Sequence, residues 1–115
     1  MTATALRLLP SADQRVAARA SVLVCVRVRN VAHNVRSRAR ARAILRGMRS
    51  AELFAEALAA LPDYVHVGRV EAGCAITFVD VPALLARQLR ARAVAAGVRT
   101  GDVMTAAMAA WMEKR

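Results

Sequence analysis

The chain has 115 residues and a formal net charge of +10; 57% of its residues are apolar, yet only 3% are aromatic. That length bounds it to one compact domain with a core of Ala, Val, Leu and Met. Its apolar strings fall far short of the ~20 residues a membrane helix needs, and the N-terminus lacks the continuous apolar region of a secretory signal. An Arg-rich, acid-poor start also mimics an organellar transit peptide, but here it runs into strand-like sequence. Cys25 and Cys74 show no CxxC spacing, which reads as two ordinary buried thiols in a reducing cytoplasm. The charge is lopsided: residues 1–47 hold ten Arg against one acid, Asp13, whereas residues 48–115 hold eight basic and seven acidic residues. Such a balance points to an anionic partner, most simply nucleic acid, although an Arg- and Ala-heavy chain also arises from compositional bias.

Residues 1–20 mix polarity around Pro10 and read as a basic tail or short helix. SVLVCVRVR, 21–29, alternates apolar with polar and is Val-rich, a strand signal. Asn30 is placed to cap the helix predicted over 31–46, which holds no Gly or Pro and stops at Gly47. Ser50 is the expected N-cap of a second helix, 51–61, ended by Pro62. A connector follows, then a strand AITFVDV, 75–81. Pro82 opens a helix at its first turn, 83–96, which Gly97 stops. Thr100 is the next expected cap, and 101–113 the last helix.

The order strand, helix, helix therefore occurs twice, at a constant offset of fifty and without a gap. Ten of the 31 pairs from Val31 to Leu61 are identical, among them Arg40-Ala41-Arg42-Ala43 with Arg90-Ala91-Arg92-Ala93, Gly47 with Gly97, and Arg49 with Arg99. The mismatches keep their chemistry: Ser50 with Thr100, Glu52 with Asp102, Leu53 with Val103. Leu53, Phe54, Ala57, Leu58 and Leu61 share one helical face, as do Val103, Met104, Ala107, Met108 and Trp111. One strand and two short helices cannot bury such a face alone, but two copies can bury it against each other. A pseudo-twofold arrangement would also pair the two strands, antiparallel.

Residues 75–113, with a strand ending in Val81-Pro82, a helix ending at Gly97 and the turn Gly97-Val98-Arg99-Thr100 leading into an apolar helix, resemble the ribbon–helix–helix DNA-binding proteins, which include the Arc and MetJ repressors. Residues 21–61 match more weakly, through Gly47-Met48-Arg49-Ser50. Two copies in one chain look like the tandem members, among them accessory proteins of conjugative plasmid transfer. The resemblance implies a mostly α fold with a two-stranded antiparallel ribbon, organised as a tail (1–20), a first repeat (21–61), a connector (62–73) and a second repeat (74–115). It implies a cytoplasmic, non-enzymatic regulator without cofactors that lays its ribbon in the major groove of double-stranded DNA. Carried over, Arg27, Arg29, Thr77 and Asp80 are the candidate base contacts. Arg49, Ser50, Arg99 and Thr100 are the candidate phosphate contacts, helped by the helix N-termini. Self-association on adjacent sites is expected.

The register of the second strand has two readings. The offset of fifty puts Ile76 and Phe78 inward and Thr77 and Val79 outward; counting back from Gly97 puts Val79 and Val81 inward and Asp80 outward. Two other architectures are open. An antitoxin-type protein would use only 74–115 as a homodimeric DNA-binding unit and grip a toxin or transfer protein with the rest. A small α+β domain would instead pair 64–70 with 75–81 as a β-hairpin. The arginines at 36, 38, 40, 42 and 46 cover most of the first helix's circumference, leaving a thin apolar face of Val35, Ala39 and Ala43. Arg40 and Arg42 read first as solvated, and Trp111 with Met104, Met108 and Met112 as core. His33 and His66 stand alone, without metal-ligand spacing, and no nucleophile–base–acid set, P-loop or GxGxxG is present.

Overall fold

Two strands and four helices follow one another as β1 (Leu23–Ala32), α1 (His33–Leu45), α2 (Ser50–Ala60), β2 (Gly73–Pro82), α3 (Ala83–Ala96) and α4 (Thr100–Glu113) in the computed structural model. The structure describes residues 22–63 and 65–114, so the expected N-terminal tail lies outside the described residues. β1 and β2 form a two-stranded antiparallel sheet, and the chain is an α+β fold of this sheet and four helices. The hairpin over 64–70 does not form: the partner of β2 is β1.

β1 runs on to Ala32 and β2 spans Gly73–Pro82, beyond the expected 21–29 and 75–81, and each contains a bulge. The ladder pairs Val26 with Phe78, Arg27 with Thr77 and Val28 with Ile76, then shifts on either side to pair Val24 with Val81 and Val31 with Cys74. The extra residues are Val79-Asp80 opposite Cys25 and Arg29-Asn30 opposite Ala75. Asn30 and Asp80 take positive φ, 63° and 55°. Asn and Asp are the side chains that best tolerate this left-handed region, and a bulge inserts one such residue while bending the strand. Asn30 is therefore a strand residue and not the expected cap: the N-cap of α1 is Ala32, and no side chain caps it. The bulge also reconciles the two registers of β2. Ile76 and Phe78 are buried before it and Val81 after it, while Thr77, Val79 and Asp80 are all exposed.

Every pair in the ladder has its counterpart fifty residues on. Leu23–Pro82 maps to Ala32–Gly73, Val24–Val81 to Val31–Cys74, and Val26–Phe78 to Val28–Ile76; Arg27–Thr77 maps to itself. The glycines that stop α1 and α3 repeat as well, Gly47 at φ 66° and Gly97 at φ 68°. In each case the next N–H turns back onto the helix, Met48 to Ala43 at 2.9 Å and Val98 to Ala93 at 3.0 Å.

The two predicted apolar faces are the core. Leu53, Phe54, Ala57, Leu58 and Leu61 are buried with Val103, Met104, Ala107, Met108 and Trp111, roofed by Val28, Val31, Ile76, Phe78 and Val81. α2 packs on α4, and each lies beneath the strand of the other copy, α2 under β2 and α4 under β1. Phe54 meets Phe78 edge to face, ring centroids 5.1 Å apart. Neither copy encloses its own apolar face, so the two halves fold on each other. α1 contributes only its thin face, with Ala39 and Ala43 buried and Val35 packed at the margin.

The helix starts depart from expectation by one residue. Arg49 and Arg99, not Ser50 and Thr100, occupy the N-cap positions of α2 and α4, and Pro82 is the N-cap of α3 rather than its first turn. The reciprocal contact comes from the acid three residues on. Glu52 Oε1 accepts the Arg49 N–H at 3.2 Å, and Asp102 Oδ2 accepts the Arg99 N–H at 3.0 Å. An acid in the first turn also suits the helix dipole.

Candidate nucleic-acid interface

The outward face of the sheet follows from the strand period and the bulges. Cys25, Arg27 and Arg29 of β1 and Thr77 and Val79 of β2 are exposed, with Ala75 half-buried between them; Cys25 is thus not the buried thiol expected, because strand alternation turns it outward, and Cys74 is half-buried. Arg27 lies directly across from Thr77. Neither the Arg27 nor the Arg29 guanidinium makes a hydrogen bond or ion pair among the described residues. Asp80, the remaining candidate base contact, is exposed in its bulge.

Two grooves run along the edges of this face, and they too are counterparts. One, of about 470 Å³, lies between Val24–Val28 of β1 and α3 and is lined by Arg27, Arg87, Arg90 and Thr100. The other, of about 460 Å³, lies between Ala75–Phe78 of β2 and α1 and is lined by Arg36, Arg40, Ser50 and Thr77. Each groove thus holds two helix arginines and the hydroxyl at the start of a second helix. Arg36, Arg87 and Arg90 were not among the expected contacts, and Arg40 was read as solvated. Their signal was the spacing: 36 with 40 and 87 with 90 fall on one helical face, and Arg40 repeats as Arg90.

The four expected phosphate residues divide. Arg49 is open, its side chain 81% exposed and, among the described residues, paired with Glu52 at 3.1 Å. Ser50 turns its hydroxyl to the ribbon, where Oγ accepts the Val79 N–H at 3.2 Å and ties the start of α2 to the bulge of β2. Thr100 lines the groove beside β1. Arg99 is engaged: its guanidinium donates to Asp102 and to the Val70 carbonyl, while the Val70 N–H donates to Asp102 Oδ1 at 2.8 Å. Asp102, with 2% of its side chain exposed, closes a network that pins the connector across the start of α4.

The carboxyls register these contacts. At Asp102 burial is the largest single influence and pushes the pKa up. The Arg99 side chain, the Val70 and Arg99 N–H groups and the Arg99 charge together outweigh it, so the net shift is downward. At Glu52 the side-chain hydrogen bond from Arg49 leads, and the pKa is again lowered.

Other arginines serve the fold. Arg92 crosses between copies to donate to Leu58 O at 3.2 Å, Leu61 O at 3.0 Å and Pro62 O, closing the C-terminus of α2. Its counterpart Arg42, read from sequence as solvated, donates to Met112 O at 2.7 Å at the end of α4. Both neutralise the negative end of the opposite copy's helix. Arg46 lies over the Trp111 ring, 5.6 Å from its centroid.

Among the described residues no three His, Cys, Asp or Glu side chains come together to hold a metal, and no helix is long and apolar enough to cross a membrane. Comparisons with protein-family models, with curated proteins and with solved structures returned no match to the chain.

Proposed function

We propose that the chain is a tandem ribbon–helix–helix pseudo-dimer that binds double-stranded DNA sequence-specifically, as a transcriptional regulator or a plasmid-transfer accessory factor. The observation that carries this reading is the exposed face of an antiparallel ribbon bearing Arg27 opposite Thr77, with Arg29 beside them and an arginine-lined groove along each edge. A two-stranded ribbon fits the major groove, where Arg makes its bidentate contact with guanine and Thr contacts either base edges or a thymine methyl. Phosphates on the two sides of the groove then meet Arg36 and Arg40 on one flank and Arg87 and Arg90 on the other. Arg49, Ser50 and Thr100 add to them at the starts of α2 and α4.

The pairing of β1 with β2 within one chain favours this arrangement over an antitoxin-type homodimer of 74–115. Such a dimer would pair β2 with a second β2, along the edge that β1 occupies. Self-association on neighbouring sites belongs to the same proposal.

The experiment is fluorescence anisotropy of the full chain with a duplex from upstream of its own gene and a scrambled duplex, each across a salt series. Tighter binding to the native duplex that persists near physiological salt is the expected result. Arg27→Ala should then weaken the native duplex by about 1–3 kcal/mol and the scrambled one less. Arg49→Ala should weaken both alike and lower the salt slope by about one. Equal binding to both duplexes that vanishes with salt overturns the reading, since the charge would then attract DNA without discriminating sequence.

A further inference from the structure

If the ribbon lies in a major groove as proposed above, we infer that its target is a non-palindromic duplex bound in a single orientation, with guanine under one end of the ribbon and thymine under the other. The argument rests on that reading and goes beyond it by naming the class of site. A twofold relates the two ends of the ribbon through the Arg27–Thr77 pair, since every other pair in the ladder exchanges with its counterpart fifty residues away. An exact twofold would present the same side chains at both ends, and a palindrome would satisfy it. This ribbon does not. At one end Arg29 and Asn30 of the bulge stand across from Ala75; at the other, Val79 and Asp80 stand across from Cys25. Arg29 and Val79 are counterparts, and both are exposed. Asn30 and Asp80 are counterparts in the same left-handed conformation. One end therefore carries a guanidinium and no carboxylate, and the other a carboxylate, an isopropyl group and a thiol.

The chemistry of base edges sorts these ends. A guanidinium takes the O6 and N7 acceptors of guanine, and the small Ala75 leaves room beside it. Val79 offers only apolar contact, which suits a thymine methyl; Asp80 is a pure acceptor, which disfavours guanine's acceptor edge there. The grooves carry less of this polarity. Both hold two helix arginines, 36 and 40 beside β2 and 87 and 90 beside β1. At the starts of the second helices the flanks do differ, since Arg49 is open and Arg99 is engaged. The bases under each end are chosen by the outward strand residues.

The test uses the full chain and a random-core duplex pool, with selection at near-physiological salt. Anisotropy follows on three duplexes: the selected site, an inverted repeat of its guanine-bearing half, and an inverted repeat of the other half. An asymmetric motif is expected, with the selected site bound about tenfold more tightly than either inverted repeat. Val79→Arg should then move the preference to the inverted repeat of the guanine half. Val79 is 53% exposed, so the substitution leaves the core intact. A palindromic motif, an inverted repeat bound as tightly as the selected site, or an unchanged preference in Val79→Arg overturns this inference while leaving the DNA-binding proposal standing. Failure of any motif to enrich overturns both.

Discussion

The starts of α2 and α4 are built on the same pattern and used differently. At α2, Arg49 and Glu52 pair in the open. At α4, the counterparts Arg99 and Asp102 pair under the connector and hold it by both polar groups of Val70. The same divergence recurs below the ribbon. Gly101 lies where a Cβ would fall on the Arg29 carbonyl oxygen and within 2.8 Å of that of Asn30, whereas its counterpart at α2 is Ala51. Residues fifty apart therefore occupy matching places without making matching contacts. The connector meets the start of α4 through Arg99 and Asp102, whereas Gly101 meets the backbone of β1.

Gly101→Ala should break the comparison most severely. Its obstacle is backbone from the other copy, which cannot swing aside like a flexible side chain, so urea unfolding should show a loss of about 3 kcal/mol or more. Ala51→Gly should cost about 1 kcal/mol at most, from helix propensity alone.

Asp102→Ala ranks next. It strands the Val70 N–H and a partly buried guanidinium, a loss of about 2–3 kcal/mol. Glu52→Ala, at an exposed pair, should leave the unfolding midpoint nearly unchanged. The acid also sets a pH dependence. The folded-state pKa of Asp102 lies below its ordinary value of 3.8, so its contribution is complete above that value and lost as pH falls through the folded one. Unfolding at about pH 6 and about pH 3 should show a smaller acid loss in Asp102→Asn than in the parent chain. An equal loss would assign the acid sensitivity elsewhere.

Much of this was legible in the sequence because the offset of fifty is a structural constant. The apolar positions of α2 and α4 were readable from helical spacing, and they are the core. The pairing of β1 with β2 followed from asking what could cover two such faces. The outward placement of Arg27 and Arg29 followed from strand alternation, and that of Thr77 from one of the two registers open for β2; the other register's inward Val79 is exposed. The bulges were not read, although a signal existed. The two counts through β2 disagreed by one residue, and a one-residue insertion between Phe78 and Val81 reconciles them. Asn30 and Asp80, both tolerant of positive φ and fifty apart, marked the place. The roles of Arg42, Arg92 and Arg99 were beyond reach. Each bonds a carbonyl far along the chain, and nothing in the local pattern separates an arginine that closes a helix from one that faces solvent.

Thr105 gives a finer comparison. Its hydroxyl accepts the Ala32 N–H at 3.1 Å and donates to Gly101 O at 2.7 Å. The counterpart of Ala32 is Pro82, which has no N–H, and the counterpart of Thr105 is Ala55, which has no hydroxyl. One copy satisfies a donor and the other lacks it. Thr105→Ala should thus cost about 1–2 kcal/mol by leaving the Ala32 N–H unpaired. Adding Ala32→Pro should recover most of that loss. Ala32 already sits at φ −57° and ψ 125°, close to the φ −56° and ψ 133° of Pro82, and the double variant copies the second repeat's solution. No recovery would mean that Thr105 acts through its contact with Gly101 instead.

The smallest expected effect separates charge that serves the fold from charge that serves the ribbon. Arg46 stacks on Trp111, and the counterpart pair is Ala96 and Leu61, where no cation and no indole occur. Arg46→Ala should therefore cost about 0.5–1 kcal/mol of stability, the worth of a cation over an aromatic ring near the surface. Arg46 ends α1, whose thirteen residues carry it about 20 Å along the helix axis from the ribbon's end. If the outward strand face and its two grooves are what meets DNA, removing this arginine should leave both the affinity and the salt slope unchanged, while Arg27→Ala changes the affinity without changing the melting temperature. The opposite pairing, with Arg46 governing DNA affinity and Arg27 governing stability, would place the anionic partner at the far ends of the helices.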